Sequence, residues 1–303
     1  MRAQLLPPCL VSALALLLTA PAIAQDDMSD VKIEIVDVRP GIHMLVGRGG
    51  NIGVSTGADG IVLIDDQYAP LHPKIAAAVA SIRPGPVRFV LNTHWHTDHT
   101  GGNEAFGKAG AVIVAHDAVR RRMSVEQFIK AFDRHVPASP PAALPVVTFG
   151  LDVTLHLNGD DLHVLHVPRA HTDGDAIVHF REANVLHLGD TFFAGRYPFI
   201  DLDSGGSLAG MITAAERALS LADADTRIIP GHGALSDRAG LAAYRDVLVL
   251  ARDRVRAAID AGRSLEQIVA DRPLADFDAQ WGAGGITPEG FLKIVYASVS
   301  AGS

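Results

Sequence analysis

The chain has 303 residues, of which 48% are hydrophobic and 20% are charged, and its formal net charge is −8. This length and this apolar fraction suit one large α/β domain with a sizeable core rather than a disordered or fibrous chain. Acidic and basic residues are interspersed, so the sequence offers no basic face of the kind that binds nucleic acid, and we expect no nucleic-acid partner.

The first 24 residues have the pattern of a secretory signal peptide. Met1-Arg2 gives a positive start, Leu10–Leu18 a short apolar core, and Ala22-Ile23-Ala24 a small-residue cleavage site. The apolar run is shorter than the ~20 residues of a membrane span. We therefore expect cleavage after Ala24 and a periplasmic or secreted protein without a stable membrane anchor, the alternative being a retained anchor. Cys9 is the only cysteine, so the mature chain would have no thiolate for catalysis or metal binding.

Residues 32–91 are predicted to form short strands and one helix. Apolar runs separated by glycine and proline turns predict strands at Lys32–Val38, His43–Val46, Asn51–Ser55, Ile61–Asp65 and Phe89–Leu91. The spacing of Ala and Ile predicts a packed helix at Lys74–Arg83, which Pro84-Gly85-Pro86 ends. The last strand would deliver the segment that follows it from its carboxyl end, the edge at which sites collect in open α/β sheets.

Four potential metal ligands follow this strand within six residues, namely His94, His96, Asp98 and His99. Because His94 and His96 are two positions apart, an extended backbone projects both imidazoles to the same side, where they can bind one ion. Asp98 and His99 follow where a glycine-rich turn can bring the chain back across the same pocket. One peptide could thus serve two adjacent metal ions, the alternative being a polar turn whose histidines face solvent.

The second half of the chain again has strands followed by helices. Helices are predicted at His116–Met123 and Val125–Phe132, and the four prolines of Pro137–Pro145 separate the two halves. Ser207 is the expected N-cap of a helix at Leu208–Leu221, and Thr287-Pro288 is expected to start the last helix. An apolar stripe at three- and four-residue spacing predicts a long helix between these two, through Leu241, Tyr244, Leu248, Ala251, Val255 and Ile259.

Three further candidate ligands follow predicted strands of this half. They are His171 after Leu162–Val167, Asp190 after Val185–Leu188 and His232 after Arg227–Ile229. Each lies close to a glycine, which lets the backbone approach a compact centre. A donor set of imidazole and carboxylate without thiolate suits Zn²⁺, iron or Mn²⁺.

These motifs together resemble those of the metallo-β-lactamase superfamily over about residues 31–235. The resemblance is carried by His94-x-His96-x-Asp98-His99, His171, Gly189-Asp190 and Gly231-His232-Gly233, in the family's order and at comparable intervals. It implies an α/β fold, a four-layer αββα sandwich of two mixed β-sheets. It also implies one metallo-β-lactamase-fold domain over residues 25–303, with the helices of residues 236–303 packed on it.

The resemblance implies a site for two Zn²⁺ ions, with iron as the less favoured metal. The first ion would be bound by His94, His96 and His171, the second by Asp98, His99 and His232, and Asp190 would bridge both. A hydroxide between the ions would attack a carbonyl of a small acyl substrate, and the ions would stabilise the resulting oxyanion. Asp98 is the expected catalytic residue, orienting the hydroxide or helping to move a proton.

The ligand set favours a hydrolase and resembles that of glyoxalase II and the family's generalist hydrolases. Asp190 stands where a Cys or Ser occurs in many true β-lactamases of the family, and His99 where some have Arg or Cys. The predicted substrate is a small acyl compound, with a β-lactam as one candidate and a lactone, ester or thioester as the alternative. An iron-loaded redox enzyme of the same fold and a non-catalytic metal-binding protein are the remaining alternatives.

Two residues soon after Asp190 are candidates for substrate binding. Arg196 could bind a substrate carboxylate and Tyr197 could donate to an oxyanion, the alternative being that both are ordinary loop residues. Asp65 and Asp66 end a predicted strand near the site and could hydrogen-bond a ligand imidazole, the alternative being turn capping.

Overall fold

The computed structural model describes residues 27–302. The chain divides into two units, residues 1–30 and residues 31–303. Of the first unit the structure describes residues 27–30 only, where the amide of Ser29 donates to Oδ1 of Asp27 over 2.9 Å. The predicted signal peptide, its cleavage after Ala24 and Cys9 lie outside the described residues and stay predictions. Within residues 27–302, no helix is both long enough and apolar enough to cross a bilayer.

The strands occupy two consecutive regions of the chain. Residues 34–149 contain β1 (Glu34–Arg39), β2 (Ile42–Val46), β3 (Ile52–Gly57), β4 (Gly60–Ile64), β5 (Val87–Leu91), β6 (Val112–His116), β7 (Gln127–Ile129), β8 (Arg134–Val136) and β9 (Val147–Phe149). Residues 152–237 contain β10 (Asp152–Leu157), β11 (Asp160–His166), β12 (Ala176–Phe180), β13 (Val185–His187), β14 (Arg227–Ile229) and β15 (Ser236–Asp237).

Helices connect the strands and dominate the end of the chain. They are α1 (His72–Ile82), α2 (Thr97–Thr100), α3 (Asn103–Lys108), α4 (Asp117–Met123), α5 (Leu208–Leu221), α6 (Arg238–Asp260), α7 (Leu265–Asp271), α8 (Ala275–Trp281) and α9 (Pro288–Ser300). The two predicted N-caps are confirmed. Ser207 accepts a hydrogen bond from the amide of Gly210 at the start of α5, and Thr287 accepts one from Gly290 at the start of α9.

Two mixed sheets form the centre of the fold. The first has the order β1-β2-β3-β4-β5-β6-β9, antiparallel through β4 and parallel from β4 to β9. The second has the order β10 to β15, in which β13 and β14 are parallel and the other pairs are antiparallel. A parallel pair needs a crossover connection, which helices such as α1 and α5 provide here.

The two sheets pack face to face. Their shared core takes apolar side chains from strands of both sheets, including Val62, Leu91 and Val114 from the first and Val164, Val178 and Phe180 from the second. On the outer face of the second sheet, Leu186 and Ile228 pack against α5, α6 and α9. On the other side, α3 and α4 contact β5 and β6 of the first sheet. The predicted four-layer sandwich is confirmed, with each sheet covered by helices.

The long helix α6 confirms the apolar stripe that the sequence predicts. Leu241, Tyr244, Leu248 and Val255 are fully buried in the cluster between the second sheet and the C-terminal helices. The stripe faces α5 and α9, both of which contact α6. The C-terminal helices therefore contribute their apolar faces to the same core as the second sheet.

The predicted helix at Val125–Phe132 is wrong. Residues 127–136 instead form a small hairpin, in which β7 pairs antiparallel with β8 and Gln127 faces Val136. The chain reverses through a 3₁₀ turn at Lys130–Phe132 and through Asp133, which has a φ of 47°. The apolar residues of this segment fit helical spacing, but cross-strand pairing with residues 134–136 overrides that local preference. We call residues 127–136 the β7–β8 hairpin.

Candidate metal centre

All seven predicted ligands lie together where strands of both sheets end. In chain order, His94, His96, Asp98 and His99 follow β5, His171 follows β11, Asp190 follows β13 and His232 follows β14. The carboxyl ends of these strands place short loops beside one another, and α2 turns the chain so that its first residues face back toward the strand end. Ligands from well-separated parts of the sequence thereby meet at one point.

The seven side chains form two groups. His94, His96, His171 and Asp190 form the first group, and Asp98, His99 and His232 form the second. Within each group the potential ligand atoms all lie within 4.8 Å of one another. The first group is buried, whereas Asp98 and His232 of the second are partly exposed. His96 and Asp190 of the first group nevertheless line the cleft together with Asp98 and His232.

Asp190 lies between the two groups and presents one carboxylate oxygen to each. Its Oδ2 is 3.8 Å from Nε2 of His94 and 3.5 Å from Nε2 of His171. Its Oδ1 is 3.1 Å from Nε2 of His99 and 3.4 Å from Nε2 of His232. Asp190 is therefore the one carboxylate of the cluster that faces both groups.

Four of the ligand imidazoles are oriented by a hydrogen bond on the side away from the centre. The pairs are Nδ1 of His94 with Oγ1 of Thr93 (3.1 Å), Nε2 of His96 with Oδ2 of Asp201 (2.9 Å), Nδ1 of His99 with Oδ2 of Asp65 (2.8 Å) and Nδ1 of His171 with the carbonyl of Phe199 (2.9 Å). An acceptor on the outer side fixes the N–H there and leaves the lone pair of the other nitrogen facing the centre.

Several inward-facing atoms have no hydrogen-bond partner among the described residues. They include Nε2 of His94, Nε2 of His99 and Oδ1 of Asp190, all of them buried; the last two lie 3.1 Å apart as an ion pair but are not aligned for a hydrogen bond. An unsatisfied buried polar atom costs about 1–3 kcal/mol, and metal ions would supply the partner that these atoms lack. The donor set of imidazole nitrogen and carboxylate oxygen fits Zn²⁺, iron or Mn²⁺.

The charges in the cluster differ between the two groups. Burial opposes ionisation of Asp190, yet the facing imidazoles of His232 and His99 hold its pKa well below the ordinary value. Asp190 in turn raises the pKa of His232 to about 9, against the effect of burial. Burial lowers the pKa of His171 to about 4 and that of His94 well below its usual range. Without metal, the second group is an ion-pair cluster, so metal binding there must displace protons.

Two glycines allow the backbone to approach the ligands. A Cβ atom on Gly50 would lie 2.0 Å from Cε1 of His99, and one on Gly231 would lie 2.1 Å from Oδ1 of Asp190. No side chain fits at either distance. Gly231 belongs to the predicted Gly231-His232-Gly233 motif, whereas nothing in the sequence around Gly50 pointed to this role.

Asp65 and Asp66 have different roles, although both were candidates for orienting a ligand. Asp65 is fully buried and its carboxylate accepts hydrogen bonds from the amide and hydroxyl of Thr93, both 2.7 Å, besides that from His99. The prediction is confirmed for Asp65. Asp66 instead accepts from the amide of Gly102 over 2.8 Å, which is the turn-capping alternative.

Asp201 is a functional residue that the sequence did not reveal. It is 105 residues from His96, is 2% exposed, and also accepts a hydrogen bond from the amide of Ser204. Its backbone amide donates to the carbonyl of His171 over 3.0 Å, so one residue holds two ligands of the first group. An Asp in a glycine-rich loop carries no spacing signal, and only the folded chain brings it to His96.

We predict that Asp201→Asn weakens metal binding at the first group by about 10- to 100-fold, the usual effect of altering an outer partner of a ligand histidine. Asn has one acceptor oxygen, so it can accept from His96 only by giving up the hydrogen bond from Ser204, and it lacks the charge that makes the imidazole more basic. Zinc titration by calorimetry measures the effect. Asp203→Asn, at an exposed neighbouring position, is the matched control. Equal affinities in the two variants would contradict the assigned role of Asp201.

A cleft of about 330 Å³ opens beside the cluster. Arg196 lines this cleft and is half-buried. Tyr197 also lines it but is only 1% exposed, and its hydroxyl donates to Oδ1 of Asp278 over 3.1 Å while its ring stacks on Phe291. The predicted substrate-binding roles of both residues stay predictions. The hydroxyl of Tyr197 would have to leave Asp278 before it could donate to a substrate.

Residues 46–232 match the family described as the metallo-beta-lactamase superfamily. The chain belongs to this superfamily. The match covers more than half of the chain and includes every predicted ligand position, from His94 to His232. Solved structures agree on the fold. A metallo-β-lactamase from Pontibacter korlensis has a TM-score of 0.57 at 21% identity, covering 72% of this chain and 99% of that one. A sec-alkylsulfatase from Pseudomonas sp. has a TM-score of 0.63 at 18% identity, and the match covers 87% of this chain and 50% of that one.

The curated relatives include hydroxyacylglutathione hydrolases and acyl-coenzyme A thioesterases by name, and also a lactamase-like protein and an O-demethylase subunit. A hydroxyacylglutathione hydrolase of Polaromonas sp. is 32% identical over 169 residues, which is 54% of this chain and 55% of that protein. An acyl-coenzyme A thioesterase of Bos taurus is 23% identical over 209 residues, which is 64% of this chain and 73% of that protein. The matched segment thus spans little more than half of the hydroxyacylglutathione hydrolase.

Proposed function

We propose that this protein is a hydrolase of small acyl compounds that binds two divalent metal ions, with zinc as the expected metal. The observation that carries the proposal is Asp190, whose two carboxylate oxygens each face one group of ligands. A single structural metal would need only one closed set of four ligands. A second group that is partly exposed to a cleft supports catalysis instead.

The reaction proposed is addition of water across an acyl bond. Bound metal ions would polarise the carbonyl and lower the pKa of water. Asp98 is the residue placed to move the proton, because it lines the cleft and its side chain is 21% exposed. Its Oδ2 lies 3.4 Å from Nε2 of His232. We assign this carboxylate the role of taking a proton from water as the oxygen joins the acyl carbon and returning it to the leaving group as that bond breaks.

A thioester is the substrate class we propose to test first. Curated relatives of this chain include a hydroxyacylglutathione hydrolase and an acyl-coenzyme A thioesterase by name. A ligand set with Asp190 and His99 instead of cysteine or arginine supports the same choice over a β-lactam. Lactones and oxygen esters react by the same addition of water and remain the nearest alternatives.

The decisive experiment combines metal analysis with a substrate panel on the purified protein. We expect about two zinc ions per chain and turnover of a simple thioester, with slower turnover of a lactone and a β-lactam and none of a phosphodiester. Stoichiometric iron in freshly purified protein, together with oxygen consumption in the presence of a persulfide, would overturn the hydrolase proposal. Zinc-loaded protein without turnover of any acyl compound would leave only a metal-binding protein.

We also propose that the protein acts in the periplasm or outside the cell. Support comes from the signal-like residues 1–24. Amino-terminal sequencing of the protein from a periplasmic extract should begin at Gln25. An intact Met1 terminus on protein recovered from the cytoplasm would refute export.

A further inference from the structure

The β7–β8 hairpin forms one wall of the cleft beside the metal ligands. Ile129 and Phe132 of the hairpin line the cleft, and Phe193, Phe199 and Ile286 line it from other parts of the chain. The side chains that could bind a substrate next to the metal centre are therefore mainly apolar on this side. Apolar side chains of this kind bind hydrocarbon, whereas Arg134, which lines the cleft from the same hairpin, donates its hydrogen bond to Thr97.

Phe132 is unusually placed for a phenylalanine. It is 54% exposed, and its ring centroid lies 4.8 Å from that of Phe199 at an angle of 51°. Exposed aromatic rings gathered around a cleft are typical of ligand-binding surfaces rather than of an ordinary solvent-facing loop. An apolar group packed against these two rings would remove both from water.

Phe199 connects this wall to the metal centre. Its carbonyl accepts the hydrogen bond from Nδ1 of His171, and its ring lies 5.7 Å from the ring of His171 and 6.1 Å from that of His96. The hairpin is also tied to the ligand peptide, since Arg134 donates to Oγ1 of Thr97 over 3.1 Å. The two rings are thus held at a fixed position beside the reacting centre.

The hairpin carries a second phenylalanine that points elsewhere. Phe128 is 44% exposed, its ring packs on His135 at 4.6 Å, and it does not line the cleft. Phe128 and Phe132 therefore have similar exposure on the same hairpin but face different surroundings. Replacing each of them in turn therefore distinguishes an effect of the cleft wall from an effect on the stability of the hairpin.

We propose that Phe132 and Phe199 form an acyl-binding subsite that selects medium-length apolar acyl groups over acetyl. The cleft volume of about 330 Å³ lies near the lower limit of ordinary small-ligand pockets, about 300–1,000 Å³, which favours a medium chain over a long one. The inference rests on the proposed function in assigning the bound group as the acyl part of the substrate.

The test is a series of thioesters of one thiol with acetyl, butyryl, hexanoyl and octanoyl groups. Each fully buried methylene strengthens binding about fourfold. The kcat/KM of the wild type should therefore rise by about 10-fold or more from acetyl to hexanoyl. Phe132→Ala should lower the hexanoyl-to-acetyl ratio of kcat/KM about fivefold or more, whereas Phe128→Ala should leave this ratio as in the wild type. The ratio cancels differences in folding and metal loading.

The subsite is refuted if the wild-type series is flat or if both variants change the ratio equally. Hexanoate binding to zinc-loaded protein, measured by calorimetry, provides a readout without turnover. We expect hexanoate to bind about 10-fold more tightly than acetate and Phe132→Ala to remove that preference. If no thioester is hydrolysed, the choice of a thioester substrate fails, and the hexanoate titration still decides whether the subsite exists.

Discussion

Asp190→Asn is expected to eliminate the two-metal centre while leaving the fold intact. The amide replaces one carboxylate oxygen with a group that cannot bind a metal and turns a donor toward the inward nitrogens of His94 and His171, or of His99 and His232. Bound metal should fall from about two ions to one or fewer per chain. Bound metal ions stabilise the transition state by several kcal/mol, and ~1.4 kcal/mol corresponds to a tenfold change in rate. The kcat/KM should therefore fall about 10³-fold or more.

Metal analysis by mass spectrometry and kinetics at saturating zinc measure both effects. Asp160→Asn is the matched control, since Asp160 is also buried but its carboxylate accepts from the backbone amides of Glu182 and Ala183 and not from a ligand. Two tightly bound ions and near-normal turnover in Asp190→Asn would exclude a bridging role.

Asp65→Ala should be the most destabilising single change near the centre. It would leave the amide and hydroxyl of Thr93 and Nδ1 of His99 without their acceptor in a fully buried site. Asp65 also has a φ of 63°, a conformation that Asp and Asn tolerate better than Ala. With about 1–3 kcal/mol for each unsatisfied group, the free energy of unfolding should fall by about 3–5 kcal/mol.

Urea denaturation of the metal-free protein gives this value without a contribution from bound ions. Asp65→Asn separates charge from geometry, because Asn keeps the backbone conformation and one good acceptor. This variant should lose only about 1 kcal/mol of stability but should bind the second metal about 10- to 100-fold more weakly. Stability of Asp65→Ala equal to the wild type would show that these hydrogen bonds are not needed for the fold.

The ligand cluster is the part of the protein that local sequence encodes most directly. His94, His96, Asp98 and His99 lie within six residues, so backbone geometry alone limits where their side chains can go. The caps at Ser207 and Thr287 and the stripe of α6 are encoded in the same way, by residues a few positions apart. The order of these motifs along the chain, by its resemblance to a known family, was enough to predict the fold class.

Contacts between distant residues could not be predicted in this way. Asp201 orients His96 across 105 residues, and Phe199 accepts the hydrogen bond of His171 through a carbonyl that every residue type has. The Val125–Phe132 segment had helical spacing, yet it pairs as the β7–β8 hairpin and places Phe132 in the cleft wall.

The sequence by itself therefore determined which residues can bind metal, because ligand chemistry and short spacings are properties of the chain. The tertiary structure decided how each ligand is oriented and what lines the substrate cleft. Those features depend on which side chains packing brings together, and neither residue type nor local periodicity specifies that.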